Sequence, residues 1–177
     1  STENWKRSPE EVDAIMDLLE KYLRELIRDM DKNQVRFCFF GDLSRLSPEL
    51  REEARITAER SQKYEGVQVN FCLNYGGRME ILRAAQQFAQ DCVDGKCCPE
   101  DLTEDAFSTR MYSAGVPDPE LVIRPGGELR TSNFLLWQSA YAEYYFTDVL
   151  WPDFGPKDLE KAIAAYNGRN RRFGGAK

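Results

Sequence analysis

Apolar residues recur at helical spacing early in the chain. Val12, Ile15, Met16, Leu18, Leu19, Tyr22, Leu23, Leu26 and Ile27 form one wide stripe. Ser8 is placed to cap that helix, Pro9 suits its first position, and Glu11 completes a capping box. The helix is expected to end near Asp31-Lys32-Asn33. The continuous apolar runs at 35–40, 67–73 and 120–124 predict strands, and Tyr144-Tyr145-Phe146-Thr147 predicts a last one. Between and after them, the spacing predicts helices over about 47–64, 78–93, from about 103, and 156–167. Residues 132–140 read as a helical turn or short helix. Strands alternating with helices imply an α/β fold around a mostly parallel central sheet, with ligands expected at the carboxyl ends of the strands.

Composition narrows the function. The chain has 177 residues, 42% of them apolar and 12% aromatic, which is enough for one domain with a real core. Its net charge of −6 argues against non-specific nucleic-acid binding, which rewards a positive field. No apolar run is long enough to span a bilayer. Histidine is absent, which excludes a Ser-His-Asp or Cys-His catalytic arrangement and His-ligated zinc. The five cysteines (38, 72, 92, 97 and 98) are an odd number, and adjacent Cys97-Cys98 lacks the spacing of zinc or redox motifs. They read as reduced structural thiols of a cytoplasmic protein.

Two polar segments follow predicted strand ends: Asn74-Tyr75-Gly76-Gly77, and Arg124 through Ser132. The second carries the most chemistry. Arg124 ends a strand, Gly126-Gly127 would let the backbone approach a ligand, and Arg130 and Ser132 precede the expected helical segment. Two guanidinium groups, a hydroxyl and a helix N-terminus make a receptacle for a diphosphate. The competing reading is a tight turn with surface arginines. It is no Walker loop, since no Gly-Lys-Ser/Thr follows. Glu143, just past the apolar run, is either a surface or salt-bridged carboxylate or a Mg²⁺ ligand completed by diphosphate oxygens.

The segment Ser1-Thr2-Glu3-Asn4-Trp5-Lys6-Arg7, the run Asn74-Tyr75-Gly76-Gly77-Arg78, and above all the stretch from Arg124 through Ser132-Asn133-Phe134-Leu135-Leu136-Trp137-Gln138 and Glu143 to Trp151-Pro152-Asp153-Phe154 resemble the cis-prenyltransferases. The resemblance is strongest to bacterial undecaprenyl diphosphate synthases and covers essentially the whole chain. It implies cis chain elongation, in which isopentenyl diphosphate units extend an allylic diphosphate, typically farnesyl diphosphate, towards a long polyprenyl diphosphate for the cell-wall lipid carrier.

Carried over residue by residue, the resemblance implies that Arg124, Arg130, Thr131 and Ser132 hold isopentenyl diphosphate, and that Glu143 binds Mg²⁺, the implied cofactor. Ser1, Thr2, Glu3, Trp5 and Arg7 would border the substrate site. Asn4 would stand near the departing proton; its amide is almost non-basic, so it would orient substrate rather than act as a base. The stripe of the first helix and the strand Phe37 to Phe40 would wall an apolar tunnel, although plain core packing accounts for most of such a stripe. Arg172 and Gly174, in an Arg-x-Gly element, would reach the site of the partner subunit in a homodimer; read without the resemblance, that stretch is a basic tail. Contact with the membrane would be peripheral, through the product, at the inner face.

The family's domain opens with a strand, a loop bearing an aspartate and arginines, and a helix, none of which precede Ser1. On that comparison residues 1–177 would be a single, N-terminally incomplete domain, inactive by itself. A non-catalytic partner subunit or scaffold is the rival reading, supported by the missing aspartate loop. A general phosphate-binding α/β module is a third, and it does not explain the Trp137-Gln138 and Trp151-Pro152-Asp153-Phe154 runs.

Overall fold

A computed structural model of the chain describes residues 1–169, the side chain of Asp29 excepted. It divides into two compact units, Ser1–Gly115 and Val116–Lys177. Arg172 and Gly174 lie outside the described residues.

In the first unit the order is α1 (Pro9–Asn33), β1 (Arg36–Phe40), α2 (Pro48–Ser61), β2 (Gln68–Cys72), α3 (Gly77–Val93) and α4 (Glu104–Ser108). Short 3-10 turns cover Thr2–Lys6, Leu43–Arg45 and Pro99–Asp101. Helix α1 starts where its cap predicts: the Ser8 hydroxyl accepts from the Glu11 N–H at 3.3 Å, with Pro9 at the first position. It stops where Gln34 turns left-handed (φ 52°) and donates its N–H to the Met30 carbonyl. Helix α2 is shorter than the charged pattern suggested, because the chain turns at Ser61 rather than Tyr64. Strands β1 and β2 pair in parallel, with Arg36 opposite Gln68 and Phe40 opposite Cys72. Phe71 stacks against both Phe37 and Phe39, each at 5.8 Å between ring centroids.

The core of this unit lies between α1, α2 and the β1 side of the sheet. Leu23, Leu46, Leu50 and Ala54 are buried there, with Met16, Leu19, Ile27 and Phe39 packed around them. Ser61, fully buried in α2, accepts the Phe37 N–H at 3.0 Å and so ties helix to strand without leaving a polar group unpaired. The wide stripe on α1 therefore divides. Its inward residues are core or cleft wall, while Leu18 and Tyr22 are more than half exposed.

The second unit holds β3 (Leu121–Pro125), β4 (Glu143–Thr147) and α5 (Pro156–Asn167), with a 3-10 turn at Trp151–Asp153. The strands again pair in parallel, Leu121 opposite Glu143 and Arg124 opposite Phe146. The α/β character and the parallel pairing match the sequence reading. Of the two readings for 132–140, the short helix does not form and a helical turn does. Ser132, Asn133 and Leu135 all have positive φ (48°, 64° and 46°), so the chain runs through successive turns. One of these is a single helical turn, in which the Ser139 N–H reaches the Leu135 carbonyl at 2.9 Å. Left-handed backbone at three nearby residues prevents the repeating i→i+4 ladder, whatever the apolar spacing.

At the carboxyl ends of β1 and β2 the backbones come very close. Gly41 has φ 121°, and a Cβ there would stand 2.0 Å from the Leu73 carbonyl oxygen. Gly41→Ala is expected to cost more than roughly 3 kcal/mol, since strain and backbone overlap add. At Gly95 (φ 71°), where a Cβ would meet nothing within 4 Å, alanine should cost only about 1–2 kcal/mol. Thermal unfolding of the two variants checks this; equal melting temperatures would contradict the close approach.

Candidate active site

Some of the sequence-predicted residues gather in each unit: Ser1, Asn4 and Trp5 in the first, Arg124, Arg130 and Thr131 in the second. In the first, three segments meet at the carboxyl ends of β1 and β2: the 3-10 turn Thr2–Lys6, the turn Leu43–Arg45, and Asn74-Tyr75-Gly76. The Thr2 N–H donates to the Tyr75 carbonyl at 3.0 Å. The Trp5 indole Nε1–H donates to Asn74 Oδ1 at 2.6 Å, and the Arg45 guanidinium lies 4.7 Å over the Trp5 ring. Ser1, Asn4, Trp5 and Asn74 border a cleft of about 140 Å³ whose remaining walls are apolar. Val12, Ile15, Met16 and Leu19 of α1 form one side, with Leu46, Cys72 and Leu73 opposite.

The expected apolar wall is thus provided by α1 but not by β1; the strand contribution comes from the end of β2. Thr2 and Glu3 do not line the cleft. The Thr2 hydroxyl donates to Glu3 Oε2 at 3.1 Å and the Ser1 hydroxyl donates to the same oxygen, which stiffens the turn. Arg7 is exposed and pairs with Glu11 at 3.9 Å. Burial pushes the Cys72 thiol up to about 11, so it lines the cleft as a neutral group and not as a nucleophile.

In the second unit Arg124, Arg130 and Thr131 line a cavity of about 70 Å³ with Val122, Phe134 and Phe146. Tyr144 and Phe146 stack at 5.9 Å and form part of its apolar wall. The two guanidinium groups converge on one carboxylate. Arg124 donates to Glu128 Oε2 and Arg130 to Glu128 Oε1, each at 2.5 Å. The Arg124 hydrogen bond holds the Glu128 carboxyl below the usual carboxylate range; burial opposes it, and the charge of Arg130 adds to the lowering.

Three expectations about this loop need correcting. No helix N-terminus follows Ser132, so a helix dipole does not contribute. Ser132 itself is exposed on a left-handed backbone (φ 48°) and is not among the residues lining the cavity. Nor do the two glycines offer their amides to a ligand. The Gly126 and Gly127 N–H groups donate to the Val149 and Thr147 carbonyls, each at 2.9 Å, which continues the strand pairing. Glycine is required there for the turn itself, with φ of 95° and 73°.

Glu143 begins β4, opposite Leu121, whereas Arg124 lies opposite Phe146 near the other end of the strand pair. Its carboxylate is ion-paired with Arg169. Among the described residues no group of three or more His, Cys, Asp or Glu side chains could hold a metal ion. A hard cation needs several oxygen ligands, so these side chains do not by themselves fit a protein-held Mg²⁺ site.

Glu128, Arg45 and Asn74 are the residues that motif reasoning left without a role. The alternation Arg124, Glu128, Arg130 was a visible signal for the first. Asn74 stood in a segment singled out for its position after a strand. Nothing in the sequence marked Arg45.

The family model described as "Putative undecaprenyl diphosphate synthase" matches residues 1–174. The chain belongs to the undecaprenyl diphosphate synthase family. A relative from Clostridium perfringens (strain 13 / Type A), named isoprenyl transferase, is 45% identical over 177 residues, spanning 100% of this chain and 70% of its own. The crystal structure of lavandulyl diphosphate synthase from Lavandula x intermedia, in complex with dimethylallyl diphosphate, matches with a TM-score of 0.94 and 37% identity, over 98% of this chain and 75% of that one. The structure titled a probable undecaprenyl diphosphate synthase from Campylobacter jejuni matches at 0.86 and 36%, over 98% and 79%. Sequence and fold agree on the family. Every match named here carries a prenyl or isoprenyl diphosphate enzyme's name, so the scaffold and the general phosphate-module readings gain no support.

The ion triplet makes a testable pH statement. Glu128 titrates below its ordinary value in the folded chain, so its pairing is present at neutral pH and is lost as the pH falls through that lowered midpoint. Carbon-13 NMR of the Glu128 carboxyl should give a midpoint below the ordinary value of about 4.3, rising towards it in Arg124→Gln. A midpoint unmoved by that substitution would contradict the assignment of Arg124 as the main cause.

Proposed function

We propose that the chain carries out cis-prenyl elongation, condensing isopentenyl diphosphate with an allylic diphosphate. The observation that supports this most directly is the pair Arg124 and Arg130, which line one cavity and share a single carboxylate. A diphosphate offers more oxygens and more charge than Glu128, and planar guanidinium groups match its geometry. Thr131, which lines the same cavity, adds a hydroxyl donor.

The reaction joins the terminal alkene carbon of isopentenyl diphosphate to the allylic carbon of the second substrate. The allylic diphosphate departs with the bonding electron pair, and the isopentenyl unit loses a proton to form the new cis double bond. Fixed positive charge lowers the barrier where negative charge develops, and most strongly where water is excluded. The apolar cleft bordered by Ser1, Asn4 and Trp5 suits a prenyl chain, which gains by leaving water. Asn4 orients substrate there with its non-basic amide. Thr2 and Glu3 stiffen the bordering turn, and Arg7 adds charge at its end.

Mg²⁺ enters this proposal as a counter-ion to the diphosphates, with Glu143 able to join it only on releasing Arg169. Among the described residues no helix is long and apolar enough to cross a membrane, which suits contact with the bilayer through the product alone. A homodimer, with Arg172 and Gly174 reaching the partner's site, completes the reading. Leu150 and Trp151 are 59% and 74% exposed and would supply the apolar contact.

Arg124→Ala or Arg130→Ala in the intact protein should each raise the isopentenyl diphosphate KM and lower turnover. One lost charge-assisted contact is worth roughly 1.5–3 kcal/mol, about 10- to 150-fold in kcat/KM. Steady-state kinetics decide this, and unchanged constants in both variants would overturn the proposal. Analytical ultracentrifugation at micromolar concentration should give a dimer, and a monomer alone would remove the shared site.

A further inference from the structure

We propose that Asn74 is the positioning residue of the substrate-bordering segment, its side-chain amide fixing the Trp5 indole, and with it Asn4, at the mouth of the apolar cleft. The inference rests on the prenyltransferase reading and gives a role to a segment that reading left unused.

The Asn74 amide is engaged at both ends. Its Oδ1 accepts the Trp5 indole N–H at 2.6 Å, and its Nδ2 donates to the Asp42 carbonyl at 2.7 Å. Its own carbonyl also faces the Asp42 N–H, at 3.4 Å. Asp42 in turn starts the turn that carries Arg45, its carboxylate accepting the Ser44 N–H at 3.0 Å. Arg45 then lies 4.7 Å over the face of the same Trp5 ring. The contacts close a circuit. The indole is gripped at its edge by Asn74 and over its face by Arg45, and both are anchored on Asp42.

The backbone at Asn74 shows what this arrangement costs. Its φ is 46°, a left-handed conformation that asparagine tolerates better than most residues. Just beyond it Tyr75 is locked from two sides. Its carbonyl accepts the Thr2 N–H at 3.0 Å, and its hydroxyl donates to the fully buried Glu80 at 2.5 Å. Glu80 also accepts the Tyr112 N–H at 2.7 Å. The segment that receives Trp5 is therefore rigid, and the turn Thr2–Lys6 takes its position from it. Asn4 is one residue from Trp5 and borders the same cleft. A misplacement of about 1 Å at a reacting centre can cost on the order of 100-fold in rate.

The test uses the intact protein, with two readouts. The first is the Trp5 indole ¹H–¹⁵N resonance, assigned by its loss in Trp5→Phe. In Asn74→Ala it should shift and lose protection from hydrogen exchange; in Asn74→Asp, which keeps the acceptor oxygen, it should stay protected. The second is kinetics. Asn74→Ala should lower kcat by roughly 10- to 100-fold while leaving the isopentenyl diphosphate KM within about twofold, and Asn74→Asp should recover most of the loss. Combined with Trp5→Phe, Asn74→Ala should cost less than the product of the two separate effects, because both remove the Trp5–Asn74 hydrogen bond. An unmoved Trp5 resonance, an unchanged kcat, or effects that multiply in the double variant would overturn the inference. If Asn74→Ala does not fold, Trp5→Phe and Asn74→Asp carry the test. A wild-type protein that binds no isopentenyl diphosphate and forms no product, yet shows the predicted resonance changes, would refute the prenyltransferase reading and keep the clasp.

Discussion

Two guanidinium groups aimed into one small cavity repel each other unless an anion lies between them. In this chain Glu128 is that anion, bridging Arg124 and Arg130 at 2.5 Å to each. The loop's form follows from the requirement. Arg124 is fixed by strand pairing opposite Phe146. The chain must then fold back sharply enough to bring Arg130 to the same place, which Gly126 and Gly127 allow with left-handed backbones whose amides are spent on the strand ends. The result is a cationic pair whose occupant is a half-exposed side-chain carboxylate. For the proposed diphosphate substrate, that arrangement would hold the cationic pair in place without leaving uncompensated charge before binding.

The other unit works under a different constraint, the close approach of backbones at the carboxyl ends of β1 and β2. Gly41 permits it, and the segments that follow each strand are drawn together there: Asp42 to Arg45 after β1, Asn74 to Gly76 after β2. Both then hold the turn Thr2–Lys6 through Trp5. Parallel strands end on one side of their sheet, so loops from both become available to a single ligand. Apolar residues of α1 complete the cleft, and they are the same residues whose neighbours pack the core.

Elements bounded by caps and by uninterrupted apolar runs were legible. Ser8-Pro9 opens α1, Pro156 opens α5, and the runs around Phe39, Phe71, Val122 and Tyr145 are strands. Residues 132–140 were only partly so, because helical apolar spacing competes there with left-handed conformations at Ser132, Asn133 and Leu135, which spacing does not report. The same holds for the site. Arg124 and Arg130 could be picked out from their place after a strand, and Trp5 and Asn4 from the family resemblance. The use of the Gly126 and Gly127 amides could not, since it depends on where β4 ends. Glu143 is paired with Arg169, a contact that the sequence did not specify. Contacts such as Asn74 with Trp5 join residues far apart in the chain, and only the folded strand ends bring them together.

An enzyme that lengthens a prenyl diphosphate by five-carbon units leaves products of stepwise increasing length. The direct measurement is product analysis by mass spectrometry after incubating the intact protein with farnesyl diphosphate, isotopically labelled isopentenyl diphosphate and Mg²⁺. The expected result is a ladder of labelled polyprenyl diphosphates, each one isopentenyl unit longer than the last, with release of inorganic diphosphate. Recovery of unextended farnesyl diphosphate with no label in longer chains would contradict it.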